Sequence, residues 1–282
     1  MRYLFIILII FFAAFSTITA AAQDMLRFAF TAVVIREDMK LNTRLIRYIE
    51  KKIGIKTSLV YRKSYKEIDD LLNFREIEIG WVCGAPYVTD HKRFGLELLA
   101  VPKIRGKSIY FSLVIVPVGS RAKNLSDLEE QRYAFSDPLS NSGKVSPTYA
   151  LARMGKTPKT FFKKYIYTYS HYESIHAVAS GFVDGASIDS YIYEAAKRFD
   201  PETVSKTKVI EKFGPYGFPP LTIRRDINPE IKKRLQDILT GMINDPEGKN
   251  ILNDYGFDSF VVPDDSLYDS IREMMKYIGI YS

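Results

Sequence analysis

Short apolar runs alternate along the chain with longer segments in which apolar residues recur every three or four positions. The short runs predict strands and the periodic segments predict helices with one buried face. Because the two patterns alternate, the sequence predicts an α/β fold. The predicted strands are 26–34, 59–61, 77–82, 96–101, 109–116, 133–135, 165–169, 184–188, 208–213 and 221–224. The predicted helices are 41–53, 65–72, 147–154, 173–180 and 191–199, with three more that begin near 229, 246 and 266.

The first 22 residues follow neither pattern. Arg2 precedes an unbroken apolar run over 4–15, and three alanines end at Ala22. A basic start, a short apolar core and a small-residue end are typical of a signal peptide, and the apolar core is short for a membrane anchor. We therefore predict a signal peptide over 1–22, cleavage before Gln23, and a periplasmic protein.

Two breaks in the pattern predict two lobes. Pro117 and Gly119 end the long strand pattern, and residues 214–220 read Gly-Pro-Tyr-Gly-Phe-Pro-Pro. A chain of 282 residues is long enough to bury two cores. The predicted lobe 1 comprises 23–116 and 219–282, and the predicted lobe 2 comprises 117–218.

Charge and cysteine content restrict the function. The formal net charge of +7 favours encounters with small anions. Basic residues are scattered among acidic ones rather than gathered in a stripe, so we expect no nucleic-acid partner. Cys83 is the only cysteine, which excludes an intrachain disulfide. No group of residues has the spacing of a metal site, and we expect neither a metal nor a cofactor.

The stretch 134–147 carries the clearest candidate chemistry. It predicts a strand, a polar turn and a helix start, where free N–H groups and a partial positive charge attract anions. Ser140 and Ser142 add hydroxyls, and Gly143 allows an anion to approach the backbone closely. The alternative is that these residues only cap the helix.

Three further chemistry-bearing residues follow predicted strands: Cys83, His171 and Asp189. Ligands of open α/β sheets bind beyond the carboxyl ends of the strands. We therefore expect these side chains to face one cleft together with the polar turn over 136–143, which we call the serine turn.

Several ordered motifs suggest a family. They lie at 64–67, 79–88, 110–112, 137–143, 170–186 and 245–248. In this order and spacing the chain resembles the periplasmic phosphate/phosphite/phosphonate-binding proteins of ABC transporters. The resemblance implies a type II periplasmic binding protein, with two α/β lobes, a two-strand hinge and a ligand cleft between the lobes. It also implies a monomer that closes over a tetrahedral oxyanion and delivers it to an ABC permease.

The resemblance also implies roles for individual residues. Ser140, Asn141 and Ser142 match the positions that bind phosphoryl oxygens. Tyr110 and Tyr65 match tyrosines that reach the ligand from the first lobe. Buried packing is the alternative role for Tyr110, because strands are rich in buried tyrosine.

His171 matches a ligand-facing histidine, and Asp189 matches a carboxylate that meets a ligand amine or an acidic proton. Their alternatives are a histidine at a helix start and a helix cap. Three features depart from the family pattern: Asn141 replaces a Thr or Ser, Lys144 replaces an apolar residue, and residues 74–76 have no glycine where one is usual.

Cys83 leaves two further functions open. Buried cysteine commonly packs as a small apolar residue. As a thiolate, Cys83 would bind a soft species such as arsenite, in a sensor subunit that signals to a histidine kinase. A thiol enzyme that pairs Cys83 with His171 lacks any local signature. We therefore expect a binding protein and no catalytic residue.

Overall fold

The computed structural model describes residues 24–31 and 36–281, so the predicted signal peptide lies outside the described residues. The strands are β1 Met25–Thr31, β2 Lys56–Arg62, β3 Ile79–Trp81, β4 Glu97–Lys103, β5 Ile109–Pro117, β6 Arg132–Phe135, β7 Lys164–Tyr167, β8 Gly185–Asp189, β9 Thr207–Gly217, β10 Leu221–Ile223 and β11 Ser259–Val261.

The α-helices are α1 Arg36–Ile53, α2 Tyr65–Asn73, α3 Gly84–Phe94, α4 Ser146–Arg153, α5 Pro158–Phe161, α6 His171–Ala179, α7 Ser190–Phe199, α8 Pro201–Ser205, α9 Pro229–Gly241, α10 Pro246–Tyr255 and α11 Asp269–Tyr277. A π-helical turn, Asn141–Val145, precedes α4, and three short 3₁₀ turns lie at Leu125–Leu128, Met242–Asn244 and Asp265–Tyr268. None of these described helices is both long enough and apolar enough to cross a bilayer.

Two mixed sheets organise the chain. One has six strands in the order β11-β4-β10-β3-β1-β2, and the other has five in the order β7-β6-β8-β5-β9. In each sheet a parallel group, β2-β1-β3 or β7-β6-β8, is extended by antiparallel strands. The α/β prediction is confirmed.

The chain crosses between the two sheets at positions that differ from the predicted ones. The sequence pattern predicts β5 in lobe 1, but β5 pairs with β8 and β9 in the five-stranded sheet. Residues 214–217, predicted to begin the return crossover, continue β9, with Tyr216 opposite Tyr110. Proline is tolerated at Pro215 because β9 is an edge strand. The chain therefore leaves the six-stranded sheet after β4 and returns to it at β10.

Apolar residues cover both faces of the sheets. The helix predicted over 41–53 buries Leu45, Ile49 and Ile53 against the six-stranded sheet, and Gly54 ends it with φ of 72°. Four of the described strands and α-helices were not predicted: α3, α5, α8 and β11. The strand pattern ending at Cys83 concealed the start of α3, and β11 has only three residues, too few for a periodicity to show.

A buried acid pair joins two helices beneath the first sheet. Asp69 of α2 and Asp90 of α3 are both buried, and Arg93 donates to Asp90 at 2.9 Å. Burial and the neighbouring Asp90 carboxylate raise the pKa of Asp69 well above its ordinary value, so Asp69 keeps its proton and shares it with Asp90. The folded protein therefore binds a proton that the unfolded chain releases above about pH 4.

Unfolding releases this proton, so rising pH favours unfolding through this pair. We expect the free energy of unfolding of Asp69→Asn to fall less than that of the parent protein between pH 5 and pH 8. An amide N–H donates to Asp90 and does not titrate in this range. The free energy of unfolding of the parent protein should fall, relative to that of Asp69→Asn, by about 1.4 kcal/mol for each pH unit over which only the folded state holds the proton. Urea unfolding at the two pH values measures the free energy of unfolding of both proteins. An equal change with pH in the two proteins would contradict the shared proton.

Candidate functional site

The serine turn is a π-helical start to a helix. The amide N–H groups of Lys144 and Val145 both donate to the carbonyl oxygen of Ser140, at 3.0 and 2.9 Å, and the second spans five residues. The Ser140 hydroxyl accepts from the Gly143 N–H at 3.0 Å. Ser140 thus caps the turn, as one of the two predicted roles requires.

Position 143 has no space for a side chain, because Ser136 of the same loop packs against it. A Cβ atom at this position would lie 1.7 Å from the Ser136 hydroxyl oxygen and 2.8 Å from the Ser136 Cβ. The sequence predicts that Gly143 lets an anion approach the backbone closely. In the structure the space beside its α-carbon is filled by Ser136, so glycine is needed for close packing.

Asn141 connects this turn to the first sheet. Its backbone N–H donates to Cys83 Sγ at 3.2 Å, and its side-chain Nδ2 donates to the Tyr110 hydroxyl at 2.9 Å. Cys83 Sγ and the Tyr110 hydroxyl are 3.8 Å apart. All three residues are buried, and Cys83 immediately precedes α3. The predicted site residues Cys83, Tyr110 and Asn141 therefore form one cluster.

The environment of Cys83 disfavours a thiolate. Burial raises the pKa of the Cys83 thiol, and its side chain is only 2% exposed. Reactive or metal-binding cysteines need a lowered pKa and access to solvent. The geometry matches the packing role of Cys83 better than arsenite capture or nucleophilic attack.

A second hydrogen bond, donated by Tyr65, connects the element after the first sheet's β2 with the loop after the second sheet's β6. The Tyr65 N–H, at the start of α2, donates to Asp137 Oδ2 at 3.2 Å, while Asp137 Oδ1 accepts from the Leu139 N–H at 2.7 Å. Burial raises the pKa of Asp137 and raises that of the Tyr65 hydroxyl well above its ordinary value. The Tyr65 hydroxyl, which bonds Thr31, is therefore a neutral group.

His171 and Asp189 are directly bonded. The Asp189 N–H donates to His171 Nδ1 at 3.1 Å, so the ring proton lies on Nε2. Burial lowers the pKa of His171 to about 3, so the ring is a neutral donor. One Asp189 oxygen accepts from the Tyr191 and Ile192 N–H groups, which confirms its capping role, and burial raises the pKa of Asp189 to about 7.

A cavity of about 80 Å³ lies between the two sheets. Of the predicted site residues, Tyr65, His171 and Asp189 line it; the residues of the serine turn, Tyr110 and Cys83 do not. The remaining wall was not predicted as part of the site. It consists of Phe30, Thr31, Asn42, Trp81, Val82, Tyr191, Ile192, Phe218, Pro219, Tyr255 and Phe257.

Three polar atoms of the serine turn have no hydrogen-bond partner among the described residues: Ser136 Oγ, Asn141 Oδ1 and Ser142 Oγ. Each is buried. Leaving a buried polar group unpaired costs about 1–3 kcal/mol, and a ligand that pairs with it recovers this cost. Two of the three are hydroxyls that can donate to an oxyanion.

Lys144, the departure noted in the sequence, is held by aromatic rings. Its ammonium lies 4.1 Å from the ring centre of Phe135, 5.3 Å from that of Tyr165 and 5.8 Å from that of Tyr167. Burial lowers the pKa of Lys144 to about 8. This contact fixes the π turn against β6 and β7.

The Ser136–Gly143 contact generates a stability prediction. Gly143→Ala should destabilise the protein by about 1–3 kcal/mol, because the added methyl group overlaps the Ser136 side chain. Adding Ser136→Gly removes the overlapping atoms and should restore part of the loss. Urea unfolding measures both variants. Gly119→Ala is the matched control, since nothing lies within 4 Å of its added Cβ; equal effects at the two glycines would contradict the contact.

Comparisons with known proteins identify the family of this chain. The family described as "ABC transporter, phosphonate, periplasmic substrate-binding protein" matches residues 28–268. The phosphonates-binding periplasmic protein of Escherichia coli K12 is 25% identical over 261 residues, which cover 90% of this chain and 77% of that protein.

Two solved structures share the fold. The binding protein component of a phosphonate ABC transporter from Pseudomonas aeruginosa has a TM-score of 0.83 at 24% identity, covering 89% of this chain and 85% of its own. A Prochlorococcus marinus protein solved with methylphosphonate has a TM-score of 0.82 at 18% identity, covering 92% and 99%. The two sheets and the cavity between them therefore have the type II periplasmic binding protein fold, and the chain belongs to the periplasmic substrate-binding proteins of phosphonate ABC transporters.

Proposed function

We propose that this protein captures a tetrahedral phosphorus oxyanion, with phosphonates as the principal class, and delivers it to an ABC permease. The observation that carries the proposal is the buried Ser142 hydroxyl, which has no partner in the described part of the chain. It lies in a turn whose first N–H groups carry partial positive charge.

The proposed phosphoryl site uses neutral donors. Asn141 offers its backbone N–H and its side-chain amide, which now bond Cys83 and Tyr110. Ser142 offers a hydroxyl, and His171 offers Nε2–H from the neighbouring cavity. Hydrogen bonds to a charged oxygen are shorter and roughly twice as strong as neutral ones, so a few such donors hold an oxyanion without a formal cation.

We propose that the two sheets are the cores of the two lobes. On this division 24–103 and 218–281 form the first lobe and 109–217 forms the second. The bonds from Asn141 to Cys83 and from Tyr65 to Asp137 then join the lobes in the closed state. Hinge closure of this kind excludes water from the ligand and strengthens its hydrogen bonds.

A thermal-shift panel on the purified protein tests the proposal. The panel contains phosphate, phosphite, methylphosphonate, 2-aminoethylphosphonate and arsenite. A ligand that binds only the folded state raises the melting temperature, and we expect the phosphonates to give the largest shifts. A shift with arsenite alone, absent in Cys83→Ser, would replace this proposal with the sensor function. Uptake of the bound phosphonate by cells that lack their own binding protein would then test delivery.

The Ser142 hydroxyl is expected to contribute directly. Ser142→Ala should weaken methylphosphonate binding by about 1–3 kcal/mol, because a donor to a charged group is lost. Isothermal titration measures the change. Ser205→Ala, at an exposed hydroxyl on α8, is the matched control and should bind like the parent protein. Unchanged affinity in Ser142→Ala would remove this residue from the site.

Asp189 is expected to make binding pH-dependent. Below pH 7 its carboxyl group is neutral, and above pH 7 it is an anion beside an anionic ligand. The variant Asp189→Asn keeps a capping side chain and never ionises. The affinity of the parent protein for methylphosphonate should therefore fall relative to that of Asp189→Asn by roughly tenfold between pH 6 and pH 8.

The ratio of the two dissociation constants, measured by titration, cancels the ionisation of the ligand itself. A ratio that stays constant with pH would show that the Asp189 charge does not reach the ligand.

A further inference from the structure

Asn42 is a polar residue of the cavity wall whose hydrogen-bonding capacity is only half used. Asn42 of α1 lines the cavity and is 2% exposed. Its Oδ1 accepts from the Tyr255 hydroxyl at 2.6 Å, which fixes the orientation of the amide. Its Nδ2 has no partner in the described ranges 24–31 and 36–281. A buried N–H donor is thereby presented to the cavity.

The acidic group of the cavity is Asp189. One of its oxygens caps α7, and the carboxyl group also borders the cavity. His171 also lines the cavity, and its Nε2–H is assigned above to the phosphoryl group. The Thr31 hydroxyl bonds Tyr65, and Trp81 Nε1 donates to the Pro219 carbonyl oxygen at 2.9 Å. Most of the remaining surface comes from the aromatic rings of Phe30, Phe218 and Phe257 and from Ile192 and Val82. With His171 Nε2–H assigned to the phosphoryl group, a substituent in this space meets the Asn42 donor, the Asp189 carboxyl group and apolar walls.

Common substituents differ in how they satisfy this pair of groups. An alkyl group leaves the Asn42 N–H unpaired, which costs binding free energy. An ammonium group has donors only, so it pairs with Asp189 and opposes the Asn42 N–H. A carboxylate pairs with Asn42 and is repelled by Asp189 when that group is ionised. A hydroxyl both accepts and donates, so it satisfies Asn42 and Asp189 together.

The size of the cavity limits the substituent. An apolar cavity of about 150 Å³ holds one benzene ring. The space here, about 80 Å³, is roughly half as large and takes about three non-hydrogen atoms. Two carbons and one hydroxyl oxygen meet that limit, and the carbons contact the aromatic walls.

We infer that the ligand is a short hydroxyalkylphosphonate, whose hydroxyl accepts from Asn42 Nδ2 and donates to Asp189. This inference rests on the proposed function, because the phosphoryl group is assigned to the serine turn. It adds a residue of α1, outside every motif found in the sequence, to the ligand site.

Competition among three two-carbon phosphonates tests the inference. The probes are 2-hydroxyethylphosphonate, 2-aminoethylphosphonate and ethylphosphonate, titrated at pH 7 by calorimetry. We expect the hydroxyl compound to bind at least tenfold tighter than either of the others. Equal affinity for the hydroxyl compound and ethylphosphonate, or tighter binding of the amine, would overturn this inference and leave the proposed function standing. No binding by any of them would overturn both.

Asn42→Asp gives a second, independent readout. It keeps an oxygen for the Tyr255 hydroxyl and replaces the Nδ2 donor with an acceptor. The preference for 2-hydroxyethyl- over 2-aminoethylphosphonate should fall at least tenfold and reverse, because two carboxyl groups suit an ammonium. The ratio of dissociation constants is independent of any general loss of affinity, and thermal melting checks folding. Asn253→Asp, the same change at an exposed position of α10, should leave the ratio unchanged. An unchanged ratio in Asn42→Asp would overturn the inference.

Discussion

The arrangement of the site depends on the two hydrogen bonds that Asn141 donates, one to Cys83 Sγ and one to the Tyr110 hydroxyl. The first bond fixes the start of the π turn against the end of the six-stranded sheet, where α3 begins, and the second fixes it against β5 of the five-stranded sheet. In low dielectric surroundings such bonds are stronger than in water, and an unpaired group is costly. The same burial that strengthens them keeps the Cys83 thiol and the Tyr110 hydroxyl neutral. A network of neutral groups can exchange one partner for an oxyanion without leaving an unpaired charge.

Much of this organisation follows from local sequence. The alternation of strand and helix patterns predicts the α/β class, and the rule that ligands gather beyond strand carboxyl ends brings His171 and Asp189 into one cavity. The motif around 137–143 also predicts the polar turn. Ser140 and Asp189 both have the capping role that the sequence offers as one alternative.

Other features depend on contacts that local sequence does not encode. Asn42 of α1, Tyr255 of α10 and Phe257 after α10 reach the cavity from segments distant in sequence, and no periodicity marks them. Thr31 and Trp81 end β1 and β3, so the strand-end rule applies to them, but neither carries distinctive chemistry. The sheet membership of β5 and β9 depends on long-range pairing, and the prolines at their ends suggested a crossover where the ladder in fact continues.

The contact between Ser136 and Gly143 has a consequence for how this chain can evolve. The two residues occupy one small volume, with a hypothetical Cβ of Gly143 only 1.7 Å from the Ser136 hydroxyl oxygen. A side chain at 143 therefore overlaps Ser136 unless residue 136 first becomes smaller. The order in which the two positions can change without a loss of stability is thus constrained, with a change at 136 preceding one at 143.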